Sequence, residues 1–164
     1  MKRLYSPWRS AYIATFKVRK KGRECLFCRI AKQKKKDERN LVIWRGKHCY
    51  LVMNLYPYNS GHLMVVPYRH TSEIATLSDE THVEMMRAAV KGMEALKKVS
   101  SPQGFNFGAN LGRPAGAGID EHIHYHIVPR WSGDTNFMPV LTDVKLISED
   151  MKKTWKELRR AVGK

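Results

Sequence analysis

The chain has 164 residues, 43% hydrophobic and 27% charged, a composition that suits one globular domain and excludes a disordered chain. Its longest apolar runs, such as residues 62–67, fall far short of the ~18 residues of a membrane span, and the polar start Met1-Lys-Arg-Leu-Tyr-Ser-Pro-Trp8 has no secretory h-region. Net charge is +15, and residues 1–50 supply 16 Lys and Arg against 3 Asp and Glu.

The positive field belongs to the N-terminal third, chiefly Lys17-Val-Arg-Lys-Lys-Gly-Arg23 and Lys32-Gln-Lys-Lys-Lys36. Such patches attract polyanions, from nucleotides to nucleic acid, although the second run alone reads as a solvated lysine loop. Cysteines number three, an odd count that argues against a disulfide framework and for a reducing cytoplasm. Residues 41–44 and 49–53 read as a β-hairpin around Arg45-Gly-Lys-His48, followed by a loop over 54–61. Residues 62–67 form the next strand, stopped by Pro67. Ser78 offers an N-cap with Asp79 and Glu80 behind it, and Val83, Met86, Val90, Met93 and Lys97 recur at helical spacing to about Val99. A strand over 105–110, a Gly-rich loop over 112–118 and a strand over 123–129 follow. The last element is a helix over 148–161, amphipathic through Met151, Trp155, Leu158 and Val162. Hairpin-linked strands with one long and one terminal helix predict an α+β fold with a mostly antiparallel sheet. No repeat or linker divides residues 1–164, so a single domain is expected.

The sharpest feature is His122-Ile-His-Tyr-His-Ile-Val128, which holds three of the chain's seven histidines within five positions. On a strand, His122, His124 and His126 share one face at ~7 Å steps, with Ile123 and Val128 available to a core. Two chemistries want such an array. One is a catalytic metal held by His-x-His with an open water position. The other is a neutral imidazole nucleophile whose neighbours bind phosphate oxygens. Asn110-Leu-Gly112 and Gly116-Ala-Gly118, just upstream, can offer backbone N–H groups to an anion, which favours phosphate chemistry. Cys25-Leu-Phe-Cys28 alone is a redox pair, half a zinc site or two buried thiols. Cys49 has no sequence partner and reads as a buried strand residue.

The pattern His122-Ile-His124-Tyr-His126-Ile-Val128 resembles the signature of the histidine triad superfamily. The likeness extends over residues 25–130, through Cys25-Leu-Phe-Cys28, Asn54 to Pro57, Gly61-His-Leu-Met-Val-Val-Pro67, His70, Asn110 and Pro129-Arg130. It implies that His124 attacks an α-phosphorus to form a nucleotidyl-histidine, with His126 and loop donors around Asn110, Gly116, Gly118 and Ile119 stabilising the phosphoryl oxygens. It implies that Asn54 binds ribose hydroxyls and that Phe27, Ile30, Met53 and Leu55 sandwich the base, where core packing is the alternative for those four. His62 would support the triad indirectly. A structural zinc on Cys25, Cys28, His70 and His122 is implied as well, with His48 the rival ligand, and so is a homodimer.

The galactose-1-phosphate uridylyltransferase branch is disfavoured because its third position is usually Gln, where this chain has His126. Many hydrolase members have Gly-Gln-Ser/Thr-Val-x-His before the triad, whereas here Ala117-Gly-Ile-Asp-Glu-His122 lacks the Gln and hydroxyl side chains. With the Trp131-x-Gly-Asp-x-Asn-Phe137 tail, the arrangement resembles the branch containing bacterial diadenosine tetraphosphate phosphorylases, in which inorganic phosphate replaces water as acceptor. The expected substrate is therefore a nucleotide or an adenine dinucleoside polyphosphate. Deadenylation of a nucleic-acid 5′ end and a nucleotide-binding module with little turnover are the alternatives.

Overall fold

The computed structural model describes residues 24–135 and 150–163, and the basic stretch 17–23 and the end of the Trp131–Phe137 tail lie outside them. A short helix α1 (Leu26–Lys32) leads to strands β1 (Val42–Arg45), β2 (Cys49–Met53) and β3 (Leu63–Pro67). A long helix α2 (Asp79–Ser100), strands β4 (Gly104–Gly108) and β5 (Tyr125–Arg130) and a helix α3 (Met151–Val162) complete the order. The five strands form one sheet in the order β1-β2-β3-β5-β4, every pair antiparallel, which is the predicted α+β architecture. No helix among the described residues is long and apolar enough to cross a membrane.

Local chemistry sets the elements. Glu84 on α2 accepts the backbone N–H groups of Lys47, His48 and Cys49 and so ties down the β1–β2 turn. A Cβ at Gly46 would lie 2.4 Å from the Trp44 ring and 2.5 Å from the Glu84 carboxylate, which explains a glycine there. Ser78 caps α2 by accepting the Thr81 N–H, and Asp79 and Glu80 face the positive end of the helix dipole. Asp150 caps α3 through the Lys152 and Lys153 N–H groups.

Both long helices cover one sheet face. The main core joins Ile43, Leu51, Leu63 and Ile127 to Met85, Ala88, Ala89 and Leu96 of α2 and to Trp155 and Leu158 of α3. The buried face of α2 is not the stripe expected from its large apolar residues. Val83, Met86 and Val90 are exposed at 48%, 50% and 53%, while the small side chains of Ala88, Ala89, Gly92 and Ala95 point inward. The reason is distance. A Cβ on Gly92 would already approach Leu51, Leu63 and Ile127 at 3.1–3.3 Å, so only small residues let the helix lie against the sheet. The opposite sheet face carries a second cluster, Val42, Tyr50, Val52, Met64 and Val66, roofed by Cys25, Phe27 and Ile30 from α1 and its approach. α1, which the sequence pattern did not announce, is the wall of the site.

Strand β5 begins at Tyr125, so His122 and His124 precede the ladder and only His126 lies within it. Ile123 and Ile127 join the main core, whereas Val128 shares the side of His126. The strand expected over 105–110 ends at Gly108, and the Lys34–Lys36 run forms an exposed 3-10 turn rather than a loop. The Gly-rich loop likewise contains a 3-10 turn, Arg113–Ala115, closed by Gly116 at φ 96°, a left-handed conformation that favours glycine.

Candidate active site and metal centre

Register builds the floor of the site. Val42 pairs with Val52, Val52 with Met64, and Met64 with His126, so one cross-strand row runs from β1 to the histidines. At ~4.8 Å per strand the row is ~14 Å long. Between it and α1 opens a cavity of about 540 Å³. Phe27, Ile30, Met53, Asn54, Leu55, Gly118, Ile119, His124 and His126 all line it. Phe27, Ile30 and Met53 are buried in packed clusters as well, whereas Leu55 stands 64% exposed at the mouth. Asn110 and Gly116 do not line the cavity, and His62 is buried behind His126. Asn54 accepts the Tyr56 N–H at 3.0 Å and donates to His62 Nδ1 at 3.3 Å, which fixes its carboxamide while leaving a second N–H and lone pair for a ligand.

Hydrogen bonds assign the tautomers. The backbone N–H of Tyr58 can only donate, and it donates to His62 Nδ1 at 3.1 Å. The His62 proton is therefore on Nε2, from which it donates to His126 Nδ1 at 2.9 Å. That places the His126 proton on Nε2, which is buried without a partner among the described residues, on a ring that lines the cavity. His124 Nδ1–H donates to the His122 carbonyl at 2.9 Å, so its Nε2 carries a free lone pair. Burial lowers all three pKa values, His62 to about 3 and His126 to about 4, these two reinforced by neighbouring histidines, while the His122 carbonyl opposes the shift at His124. These rings are neutral at pH 7. The result is one nucleophilic nitrogen and one N–H donor on adjacent rings whose centroids lie 4.8 Å apart.

His122 faces away from that chemistry. Its Nε2–H donates to the Pro67 carbonyl at 2.9 Å, turning the Nδ1 lone pair toward Cys25 Sγ at 3.5 Å, Cys28 Sγ at 3.6 Å and His70 Nδ1 at 3.3 Å. Cys28 Sγ lies 3.3 Å from His70 Nδ1. Tetrahedral zinc with ordinary bond lengths has S···N edges of ~3.5 Å and an N···N edge of ~3.3 Å. These four residues lie close enough to hold a metal ion, their ligand atoms within 4.8 Å of one another. His48 is not in the group, and its amide is engaged by Glu84. The carbonyl partner of His122 is the usual outer-shell support of a metal-bound imidazole. Phe27 packs against both His122 and His124, at 5.5 and 4.9 Å between centroids, so the cluster also seats the cavity wall.

Some participants carried no sequence signal. Tyr58 orients His62 and stacks on His126 at 5.6 Å, yet it reads as an ordinary loop aromatic. Arg29, Arg39, Arg113, Asp120 and Glu121 also line the cavity. A charge count sees them only as part of a diffuse total.

The HIT domain family matches residues 35–133. The AP-4-A phosphorylase of Mycobacterium tuberculosis is 43% identical over 159 residues, covering 94% of this chain and 80% of its own. A Zn-bound histidine triad family protein from Mycobacterium smegmatis is similar in structure, with TM-score 0.67 and 25% identity over 85% of this chain and 93% of its own. A histidine triad nucleotide-binding protein from Sulfolobus tokodaii shares the fold at TM-score 0.67, with 23% identity over 84% of this chain and 91% of its own. The chain belongs to the HIT domain family and is one of its enzymes.

Proposed function

We infer that the protein cleaves adenine dinucleoside polyphosphates by way of a nucleotidyl-histidine on His124, with inorganic phosphate as the favoured acceptor. The observation that carries this reading is the pairing of a free His124 Nε2 lone pair with an unsatisfied His126 Nε2–H at one cavity. Nε2 attacks the α-phosphorus, the bond to the departing polyphosphate oxygen breaks, and the electron pair leaves with that oxygen. Positive charge that develops on the His124 ring is met by the His122 carbonyl at Nδ1–H. His126 donates to the phosphoryl or leaving oxygen, where negative charge builds. Phosphate oxygen then attacks the same phosphorus, the P–N bond breaks, and His124 regains its lone pair. Diadenosine tetraphosphate and phosphate would give ATP and ADP, whereas water as acceptor would give ATP and AMP.

The cavity suits one nucleotide. The ~14 Å row gives room for a base between α1 and Leu55 with ribose at Asn54 and phosphate at His124. The 43% identity to an AP-4-A phosphorylase supports the substrate class and the acceptor. Zinc is the ion that a two-cysteine, two-histidine set takes, and it would hold α1 against the histidines without entering the chemistry. A homodimer is supported by two features that adjoin no partner within the described residues. These are the outer edge of β4, with Phe107 40% exposed, and the Val83-Met86-Val90 stripe of α2. Free thiols on Cys25, Cys28 and Cys49 suit a cytoplasmic setting. The exposed Lys34–Lys36 turn and the cavity arginines Arg29 and Arg39 favour, as a second reading, removal of AMP from a nucleic-acid 5′ end.

Product analysis tests these readings. Diadenosine tetraphosphate with phosphate should yield ADP and ATP, and rapid alkaline quench under single turnover should trap an acid-labile AMP adduct that His124→Ala lacks. A His124→Ala enzyme at wild-type turnover would end the covalent reading. Release of AMP from adenylated DNA faster than from the dinucleotide would favour the second.

A further inference from the structure

We propose that Arg113, held by Asp120, is the binding group for the acceptor phosphate. The inference rests on the phosphorylase reading above and names the residue that would make phosphate, rather than water, the second substrate.

The argument starts from charge. Attack by phosphate brings one anion onto another, since the adenylyl phosphorus carries anionic oxygens and inorganic phosphate bears one to two negative charges at neutral pH. Water meets no such repulsion. A site that uses phosphate therefore needs a cation beside the reacting atoms, and a hydrolase does not. Among the described residues, the cations lining the cavity are Arg29, Arg39 and Arg113. Arg29 lies on α1, and Arg39 stands three residues before β1, at the end of the cross-strand row remote from His126. Arg113 is tied to the reacting end. Its Nε donates to Asp120 Oδ2 at 2.7 Å, and Asp120 stands four residues before His124 on the same cavity wall.

The way Arg113 is held matters as much as where it is. Arg113 reaches Asp120 through Nε–H, and both of its terminal nitrogens lack an acceptor among the described residues, on a side chain 47% exposed. A guanidinium fixed at one edge presents its other edge as a planar fork, the geometry that matches a phosphate. The loop supplies the space. Gly118 lines the cavity with no side chain, and the Gln and hydroxyl residues common just before the triad in hydrolases are absent from this stretch. Asp120 also lines the cavity, and the Arg113–Asp120 pair offsets its carboxylate and aims what remains of the guanidinium's donor capacity at the ligand.

The test is a kinetic split. Arg113→Gln is in an exposed 3-10 turn, so a thermal melt serves as the folding control. The expected result is a rise in the phosphate KM of about 10- to 100-fold, the range for one charge-assisted contact, with a much smaller change in the dinucleotide KM. Products should move from ADP toward AMP at fixed phosphate. Arg113→Lys should recover part of the phosphate KM, because it keeps the charge but cannot hold Asp120 and phosphate at once. Equal loss of ADP and AMP formation, or an unchanged phosphate KM, would overturn the proposal. So would single-turnover adduct formation slowed as much as phosphate capture, since that would place Arg113 on the leaving polyphosphate. Should wild type release only AMP at saturating phosphate, the phosphorylase reading itself fails, and this assignment with it.

Discussion

His62→Phe removes both ring nitrogens from a buried position while keeping a ring of similar shape. Three partners lose their bonds: the Tyr58 N–H, bonded at 3.1 Å, the Asn54 carboxamide N–H at 3.3 Å, and His126 Nδ1 at 2.9 Å. Tyr58 is 45% exposed, so its amide can turn to water, whereas His126 is buried and cannot. An unsatisfied buried acceptor costs ~1–3 kcal/mol. The folded state should lose about 2 kcal/mol, a fall in melting temperature of roughly 4–8 °C for a domain of this size. The kinetic effect has a separate origin. Without the His62 donor, nothing fixes the His126 proton on Nε2, and the ring populates the tautomer that turns a lone pair toward the phosphoryl oxygens. Turnover should fall about 10- to 100-fold, less than the ~100–1,000-fold typical of deleting an oxyanion donor outright. His62→Gln, which offers an oxygen to Tyr58 and an N–H to His126, should recover part of the rate. The assay pairs steady-state kinetics with nitrogen-15 NMR of the His126 ring, whose shifts report which nitrogen is protonated. A His62→Phe enzyme with wild-type turnover, or one in which the rate falls while His126 keeps Nε2–H, would refute the positioning role.

The metal cluster predicts that Cys25→Ser/Cys28→Ser protein loses about one zinc per chain by elemental analysis and melts well below wild type. Its nucleotide KM should also rise, because Phe27 loses its seat against His122; retained stability in metal-free protein would reject the zinc assignment. Stability should drop as pH falls. His126 and His62 titrate near 4 and 3 when folded but near 6.5 when unfolded, so between those values the unfolded chain binds protons that the folded one excludes. The loss reaches ~3 kcal/mol per histidine by pH 4, and urea melts from pH 7 to 4.5 should show it shrink when His126 is replaced by Gln. If the outward stripe of α2 forms the proposed homodimer interface, Val90→Glu should convert dimer to monomers in sedimentation, with little change in secondary structure by circular dichroism; an unchanged sedimentation coefficient would reject that interface.

What the sequence revealed and what it hid divide along physical lines. Period-two histidines, a Gly-closed hairpin and a capped long helix are local patterns, and each has its counterpart in the structure. Hidden features depended on distance. The stripe Val83, Met86 and Val90 obeys helical periodicity, yet the sheet selects the small residues on another face of α2, because only they let the helix approach. Period two also placed three histidines on one face, but the ladder begins at Tyr125, and the backbone before it turns His122 toward cysteines nearly a hundred residues away. Cys25-x-x-Cys28 could not choose between His48 and His70 on spacing. The structure makes the choice by distance: His70 and His122 meet beyond the end of β3 beside the two cysteines, and His48 is not in the group.

His122 joins the two halves of the site through one residue. Its side chain lies with Cys25, Cys28 and His70, close enough together to hold a metal ion, and its backbone carbonyl is the acceptor for His124 Nδ1–H. Neutral imidazole has two tautomers of similar energy, and only the one protonated on Nδ1 leaves Nε2 free to attack. The His122 carbonyl selects that tautomer only while its backbone is fixed. Pro67 fixes the ring from one side, and Cys25, Cys28 and His70 from the other. His126 is set independently, through His62 and the Tyr58 amide, which hang on the loop after β2. The proposed nucleophile and the proposed donor thus take their protonation from different parts of the chain. Loosening the metal cluster should therefore disturb attack by His124 while leaving the His126 donor oriented, and loss of His62 should do the reverse.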